Sequence, residues 1–444
     1  IRASMESISG NHPKGYADGL RLVQNRSMES DYVYAMLTYA MAMALENQGL
    51  LQDAVGYFEK SRDLGLKYHH HYGVFHSTIA LAGLYMRQAR LKEARREFSL
   101  ALSHALSLNL ENAAISLAQT GLLHIALEKN DLSEADELAR DTLQNFDKTI
   151  VSESVWIKHI ERCVALADYF VIRGDTENAR DYFDRALSSQ YEITGGAANM
   201  PARMIEVYGR ILLAEARNRG ENAWQQEANQ LLDPLSKASP AGQMLQARLY
   251  LNQGHGEAAR DLMRILVKKM RQSENQDQMI RALVLFACSL YACHDESAAL
   301  VVIEDALQQG SMAGYARVFT EEGERMFSML RDYMETSGYE AFERDNPGYI
   351  AGLLAWFENE RILQESPSLT EMPVTASLHL LQEPLSEREL EVLKLLNSDK
   401  STKEIADALM ISFNTTKTHI MNIYRKFDVH SRRMLIDRIN DLGK

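Results

Sequence analysis

Apolar residues recur along most of this chain every three or four positions, and polar breaks interrupt them at regular distances. The pattern predicts helices throughout, with stretches such as YVYAMLTYAMAMALENQ (32–48) and CVALADYFVIR (163–173) amphipathic or buried on several sides. After each break one motif returns: a small or polar residue, an alanine five residues later, then an apolar or aromatic helix. It begins at Gly49, Ala89, Asn130, Gly174, Gly254 and His294, with the alanines at Ala54, Ala94, Ala135, Ala179, Ala259 and Ala299. The separations are 40, 41, 44, 80 and 40, so one unit is hidden before Ala259, where GENAWQQEANQLL (from Gly220) carries its alanine displaced. Each unit reads as a helical hairpin. The break ends the first helix, and the alanine lets the second helix approach it closely. Seven hairpins cannot bury their apolar faces singly, so they are expected to stack into a solenoid with a long concave surface.

The pattern changes near the C-terminal end. Residues 365–382 hold clustered prolines (Pro367, Pro373) and little periodicity, and read as a linker. Beyond them four short helices have legible starts: Ser386 with Glu389 and Ser401 with Glu404 form capping boxes, and Ser412 and Ser431 can cap the third and fourth. Four helices in about sixty residues, the second and third joined by a tight turn, spell helix-turn-helix. At about 100° per residue, Thr416, Ile420, Ile423 and Phe427 share one face of the third helix and are expected to pack inward. Asn414, Thr418, Met421 and Arg425 point the other way, flanked by Lys417 and Asn422. Amide, hydroxyl and basic groups on one face suit a major groove.

On these residues the array resembles the tetratricopeptide family, with its period of about 34 stretched to about 40. PLSERELEVLKLLNSDKSTKEIADALMISFNTTKTHIMNIYRKFDVHSRRMLIDRI is similar, almost without gaps, to the LuxR-type (NarL-type) DNA-binding domain. Together with GSMAGYARVFTEEGERMFSMLRDYM (310–334), the whole resembles the large MalT-like regulators, the LAL group. The resemblance implies an all-α fold: a tetratricopeptide-like helical-hairpin solenoid followed by a four-helix LuxR/NarL-type helix-turn-helix domain. It divides the chain into a helical lead-in (1–31), a superhelical sensor (32–364), the linker (365–382) and the DNA-binding domain (383–444). It implies that Lys417, Thr418 and Met421 face bases. Thr415, Asn422, Arg425, Lys426 and Arg432 would lie in or near backbone contacts, and Ser401, Thr402 and Lys403 would present a helix N-terminus to phosphate. Asp399 and Asp428 stand where the family has glycines, and Thr416 where it has an apolar residue.

Charge fits this division. The chain carries a formal charge of -13, but residues 383–444 hold 11 basic and 10 acidic side chains, so any contact with a polyanion is confined to the tail. The three cysteines (Cys163, Cys288, Cys293) lack metal or disulfide spacing and suit a reducing cytoplasm. The longest apolar runs are about twelve residues, too short to span a membrane.

No phosphate-binding loop or nucleophile-base constellation occurs, so an enzyme is not expected. EEGER (321–325) reads as a solvated acidic face. KYHHHYGVFH (67–76) reads as the start of a helix, with an aromatic contribution to a ligand groove as the sharper alternative and a metal site a remote one. The chain opens on Ile1, so a fragment is expected. By the resemblance an ATP-binding domain would precede it, and no cofactor is expected here. The reading is a cytoplasmic DNA-binding transcriptional regulator, in the sense of an activator. Its partners would be double-stranded promoter DNA and a small-molecule effector or regulatory protein on the solenoid. Leu435, Ile436, Ile439 and Leu442, at helical spacing in the last helix, either pair two copies as a homo-oligomer on DNA or belong to the domain's own core. A protein-protein scaffold with a DNA-tethering tail is the alternative.

Overall fold

The structure, a computed structural model, describes residues 31–108, 110, 112–144, 156–194, 200–219, 239–365 and 416. The chain divides into two compact units, residues 1–359 and 360–444. Among the described residues there is no strand. The first unit is a succession of antiparallel helix pairs. They are α1 (Asp31–Asn47) with α2 (Leu51–Lys67), α3 (His71–Arg87) with α4 (Leu91–Ser107), α5 (Asn112–Glu128) with α6 (Leu132–Gln144), and α7 (Trp156–Ile172) with α8 (Thr176–Thr194). After α9 (Ala202–Arg219) come α10 (Pro240–Asn252) with α11 (Gly256–Met270), and α12 (Gln276–Ala292) with α13 (Glu296–Ala313). The chain ends its described run through α14 (Arg317–Thr320), α15 (Glu324–Met334), α16 (Ser337–Asp345) and α17 (Tyr349–Glu365). The displaced unit from Gly220 lies outside the described residues.

Every break in the repeat has the same geometry. Gly49, Ala89, Asn130, Gly174, Gly254 and His294 all take left-handed φ values, from 56° at Ala89 to 80° at Gly174. At each, two hydrogen bonds close the preceding helix: the break's own N–H reaches back three residues, and the next N–H reaches back five, as in Leu50 N to Leu45 O at 3.0 Å and Asp175 N to Phe170 O at 2.9 Å. This is the Schellman closure, which satisfies the last carbonyls of one helix while turning the chain into the next. Where the following residue is aspartate it caps the new helix: Asp131, Asp175 and Asp295 each accept from the N–H three residues on. All six alanines are fully buried, as expected of a crossing that only a small side chain admits.

The histidine run is a helix start of the same kind. His69 is left-handed, and His70 caps α3 through Nδ1, which accepts from Gly73 N–H at 3.2 Å. Among the described residues no group of side chains is arranged to hold a metal ion. All three cysteines are free. No helix among the described residues is long and apolar enough to cross a membrane.

The array winds until its late hairpins meet its early ones. α12 packs against α3, and Gln52 N–H donates to Glu274 Oε2 at 2.8 Å across 222 residues of sequence. The expected concave surface is therefore not open, because chain leaving α13 comes back to fill it. Gly314, at φ 82°, ends α13. The return segment Tyr315–Glu322 then runs against the inner helices, where Ala316 N–H donates to Glu128 O at 2.9 Å and Arg317 Nη1 to Asn130 Oδ1 at 3.2 Å. Tyr315, Val318 and Phe319 are fully buried.

Candidate functional site

Residues at helical spacing on α3, α5, α7, α9 and α12, with Phe98 of α4 and Gln190 of α8, line a cavity of about 730 Å³. From α3 come Ile79, Gly83 and Met86, and from α5 come Leu117, Gly121 and His124. Ile160 and Val164 on α7 complete an apolar wall, while Asp277, Gln278 and Arg281 bring polar groups from α12. Small residues make the room. A Cβ placed on Gly83 meets nothing within 4 Å, so that position opens into free space. At Gly121 it would lie 2.3 Å from the Phe98 ring, so the absence of a side chain there makes room for that ring against α5.

One side of the cavity is continuous with a buried ion network. Glu128 and Asp168 are fully buried, and both are met by Arg203 from the cavity wall. Arg281 Nη2 lies 2.6 Å from Glu128 Oε1 and also reaches Asp277 and Glu206. Asp168 passes the chain of contacts to Arg210 at 2.6 Å, and Arg210 Nε reaches Glu321 of the return segment at 2.7 Å. Arg248 binds both Glu321 and Glu322. Glu321 and Glu322 are thus buried ligands of two arginines, not the solvated face that EEGER suggests. The helix they were expected to sit on begins only at Glu324, and the pair faces inward ahead of it.

Burial alone would raise each of these carboxyls, and the arginines decide which stay ionised. At Glu128 the Arg281 and Arg203 guanidiniums outweigh burial and hold the group well below the usual carboxylate range; at Asp168 Arg203 and Arg210 likewise outweigh burial and lower the carboxyl. Glu321 is brought down to about 2 against burial, by Arg210 and Arg248. At Glu206 and Glu322 burial wins and the carboxyls are pushed up. His124, half-buried on the cavity wall, is pushed down to about 4 by desolvation and by Arg203, so it is a neutral imidazole at pH 7.

That last shift predicts a pH dependence. The unfolded state protonates this histidine below about 6.5 and the folded state only below about 4, so acidification through this window favours unfolding. The loss amounts to about 2 kcal/mol by pH 5. Glu206 and Glu322 act in the opposite sense, binding protons more readily when folded. Urea unfolding of wild type and His124→Gln at pH 7 and pH 5 isolates the imidazole: the variant should show the shallower pH dependence.

A smaller groove of about 390 Å³ lies between α1, α2 and α3, lined by Tyr39, His70, Tyr72 and His76. The histidine run thus contributes aromatic rings to a groove as well as starting a helix. The DNA-facing residues expected from the sequence, Ser401, Thr402, Lys403, Asn414, Thr415, Lys417, Thr418, Met421, Asn422, Arg425, Lys426 and Arg432, lie outside the described residues. So does the stripe from Leu435 to Leu442. Thr416 is described: it is helical and fully buried, in keeping with the inward stripe on which it was placed. Sequence reasoning missed the ion network. Its signal was present as single charges within otherwise apolar helices, Asp168 in CVALADYFVIR and Arg281 in RALVLFACSLYAC.

Comparison with known proteins agrees with this architecture. Residues 383–439 match the family model for bacterial regulatory proteins of the luxR family. The HTH-type transcriptional regulators MalT of Vibrio campbellii and Vibrio parahaemolyticus are each 25% identical over 324 residues, covering 69% of this chain and 34% of theirs. The chain thus spans about a third of the length of the curated relatives it matches. Among solved structures, the apo form of the quorum sensor NprR from B. thuringiensis aligns with a TM-score of 0.48 at 11% identity, covering 66% of this chain and 81% of that one. Residues 1–336 match the model for the MalT-like TPR region, so the chain belongs to that family and joins its solenoid to a luxR-type DNA-binding segment.

Proposed function

We propose that this chain is the sensing and DNA-reading part of a transcriptional activator, in which a small molecule enters the solenoid cavity and the C-terminal segment binds promoter DNA. The observation that carries the sensing half is the cavity itself. Its volume lies in the range of small-molecule sites, with a mostly apolar lining and a few convergent polar groups. That lining suits a ligand with an apolar body, set against Ile79, Met86, Leu117 and Val164, and a hydrogen-bonding end directed at α12. A protein scaffold would be better served by an open concave face, and here the interior is taken up by Tyr315–Glu322.

The DNA half is tested by selecting duplexes from a random pool with the full chain at low salt, then measuring affinity at two salt concentrations. Lys417→Ala should relax discrimination at one or two base pairs by about 1–3 kcal/mol. Lys426→Ala should weaken binding across all sequences and reduce the salt slope by about 1. Recovery of no duplex, or binding unaltered by either change, contradicts the placement of the reading helix.

A further inference from the structure

Three links join the cavity wall to the return segment. Asp277, in the wall, accepts from the Tyr315 hydroxyl at 2.7 Å. Arg281, also in the wall, holds the Glu128 carboxylate, and the backbone carbonyl of Glu128 accepts from Ala316 N–H. Arg203 binds Asp168, which binds Arg210, which binds Glu321. The segment has a left-handed glycine at each end, Gly314 at φ 82° and Gly323 at φ 64°. Such positions absorb large backbone changes.

We propose that Tyr315–Glu322 is a strap whose docking inside the superhelix depends on what the cavity holds, which rests on the reading of that cavity as an effector site. The strap buries Tyr315, Val318 and Phe319 in the core, and buried ion pairs with one buried hydroxyl bond set the geometry in which it docks. Desolvation offsets most of the attraction in a buried ion pair, so such contacts specify a docked geometry without binding it tightly. Asp277 is the point of competition. Its Oδ1 serves Tyr315 and Arg281 together, and a ligand donor arriving from the cavity takes capacity from both. A strap that loses Tyr315 then has to leave Glu321 and Glu322 on Arg210 and Arg248 or withdraw them together. The chain beyond the strap leads to the luxR-type segment, so withdrawal changes the tether through which the DNA-binding end is attached.

The test needs no ligand. Hydrogen exchange followed by mass spectrometry on the full chain compares amides 316–322 with those of α2 and α8 in wild type, Asp277→Asn and Tyr315→Phe. Both changes nearly preserve side-chain shape. The expected result is exchange roughly tenfold faster across the strap in either variant, with α2 and α8 at their wild-type rates. Strap amides that keep the wild-type rate in both variants overturn the proposal. So does acceleration of strap and reference helices together, which would make these contacts part of one structural core. Because no effector is added, this experiment can fail while the cavity still binds a ligand, and it can succeed with the cavity empty of function.

Discussion

Replacing Glu128 with alanine is expected to cost about 3–5 kcal/mol, a large fraction of the stability of an ordinary domain. The side chain is fully buried and is the common partner of Arg203 and Arg281, and its backbone carbonyl anchors the strap. Removing it leaves two guanidiniums in the interior with one fewer counter-charge each. The penalty is that of stranded charge, which exceeds what the pair itself contributes when intact. Each guanidinium already has a buried nitrogen without a hydrogen-bond partner among the described residues, Nη1 in Arg281 and Nε in Arg203. Urea unfolding of the full chain, followed by helical circular dichroism, checks the figure. Asp181→Ala is the control: its partner Arg185 and Asp181 itself are each about half exposed, so the change should stay within about 0.5 kcal/mol.

The repeat was legible because it depends on local chemistry. Each hairpin needs a residue that can turn left-handed after its first helix and a small residue where the helices cross. Those two demands fall five positions apart, so Gly49 with Ala54 and Gly174 with Ala179 can be read directly. Ala89 is the less obvious break, since alanine rarely takes φ above zero, yet the alanine five residues on marked it correctly. The histidine run was legible as a helix start because it falls where the first helix of the second hairpin should begin.

The interior was not legible, because its partners are distant in sequence. Glu128 meets Arg281 across 153 residues, and Arg210 meets Glu321 across 111. Nothing local distinguishes Glu321 and Glu322 from an acidic surface face, and only winding of the array brings Arg210 and Arg248 to them. A lone charge in an apolar helix announces that a buried partner exists without saying where. The cavity is illegible for the same reason, since nothing local at Gly83 or Gly121 tells which distant side chains surround them.

Gly83 also supplies the most direct test of the central claim, that the solenoid cavity is an effector site. Leucine there should fold at least as well as wild type. The helix gains about 1 kcal/mol of propensity on losing a glycine, and the new side chain enters open space. It then occupies volume a ligand needs. The measurement is thermal stability of the full chain, wild type and Gly83→Leu, against a panel of small metabolites spanning apolar and polar classes. The account predicts at least one compound that raises the wild-type transition at a concentration well above its Kd, by the equivalent of about 3 kcal/mol at a hundredfold excess, and leaves Gly83→Leu unmoved. A compound that stabilises both chains equally, or stabilisation of wild type by a protein partner alone, would contradict it.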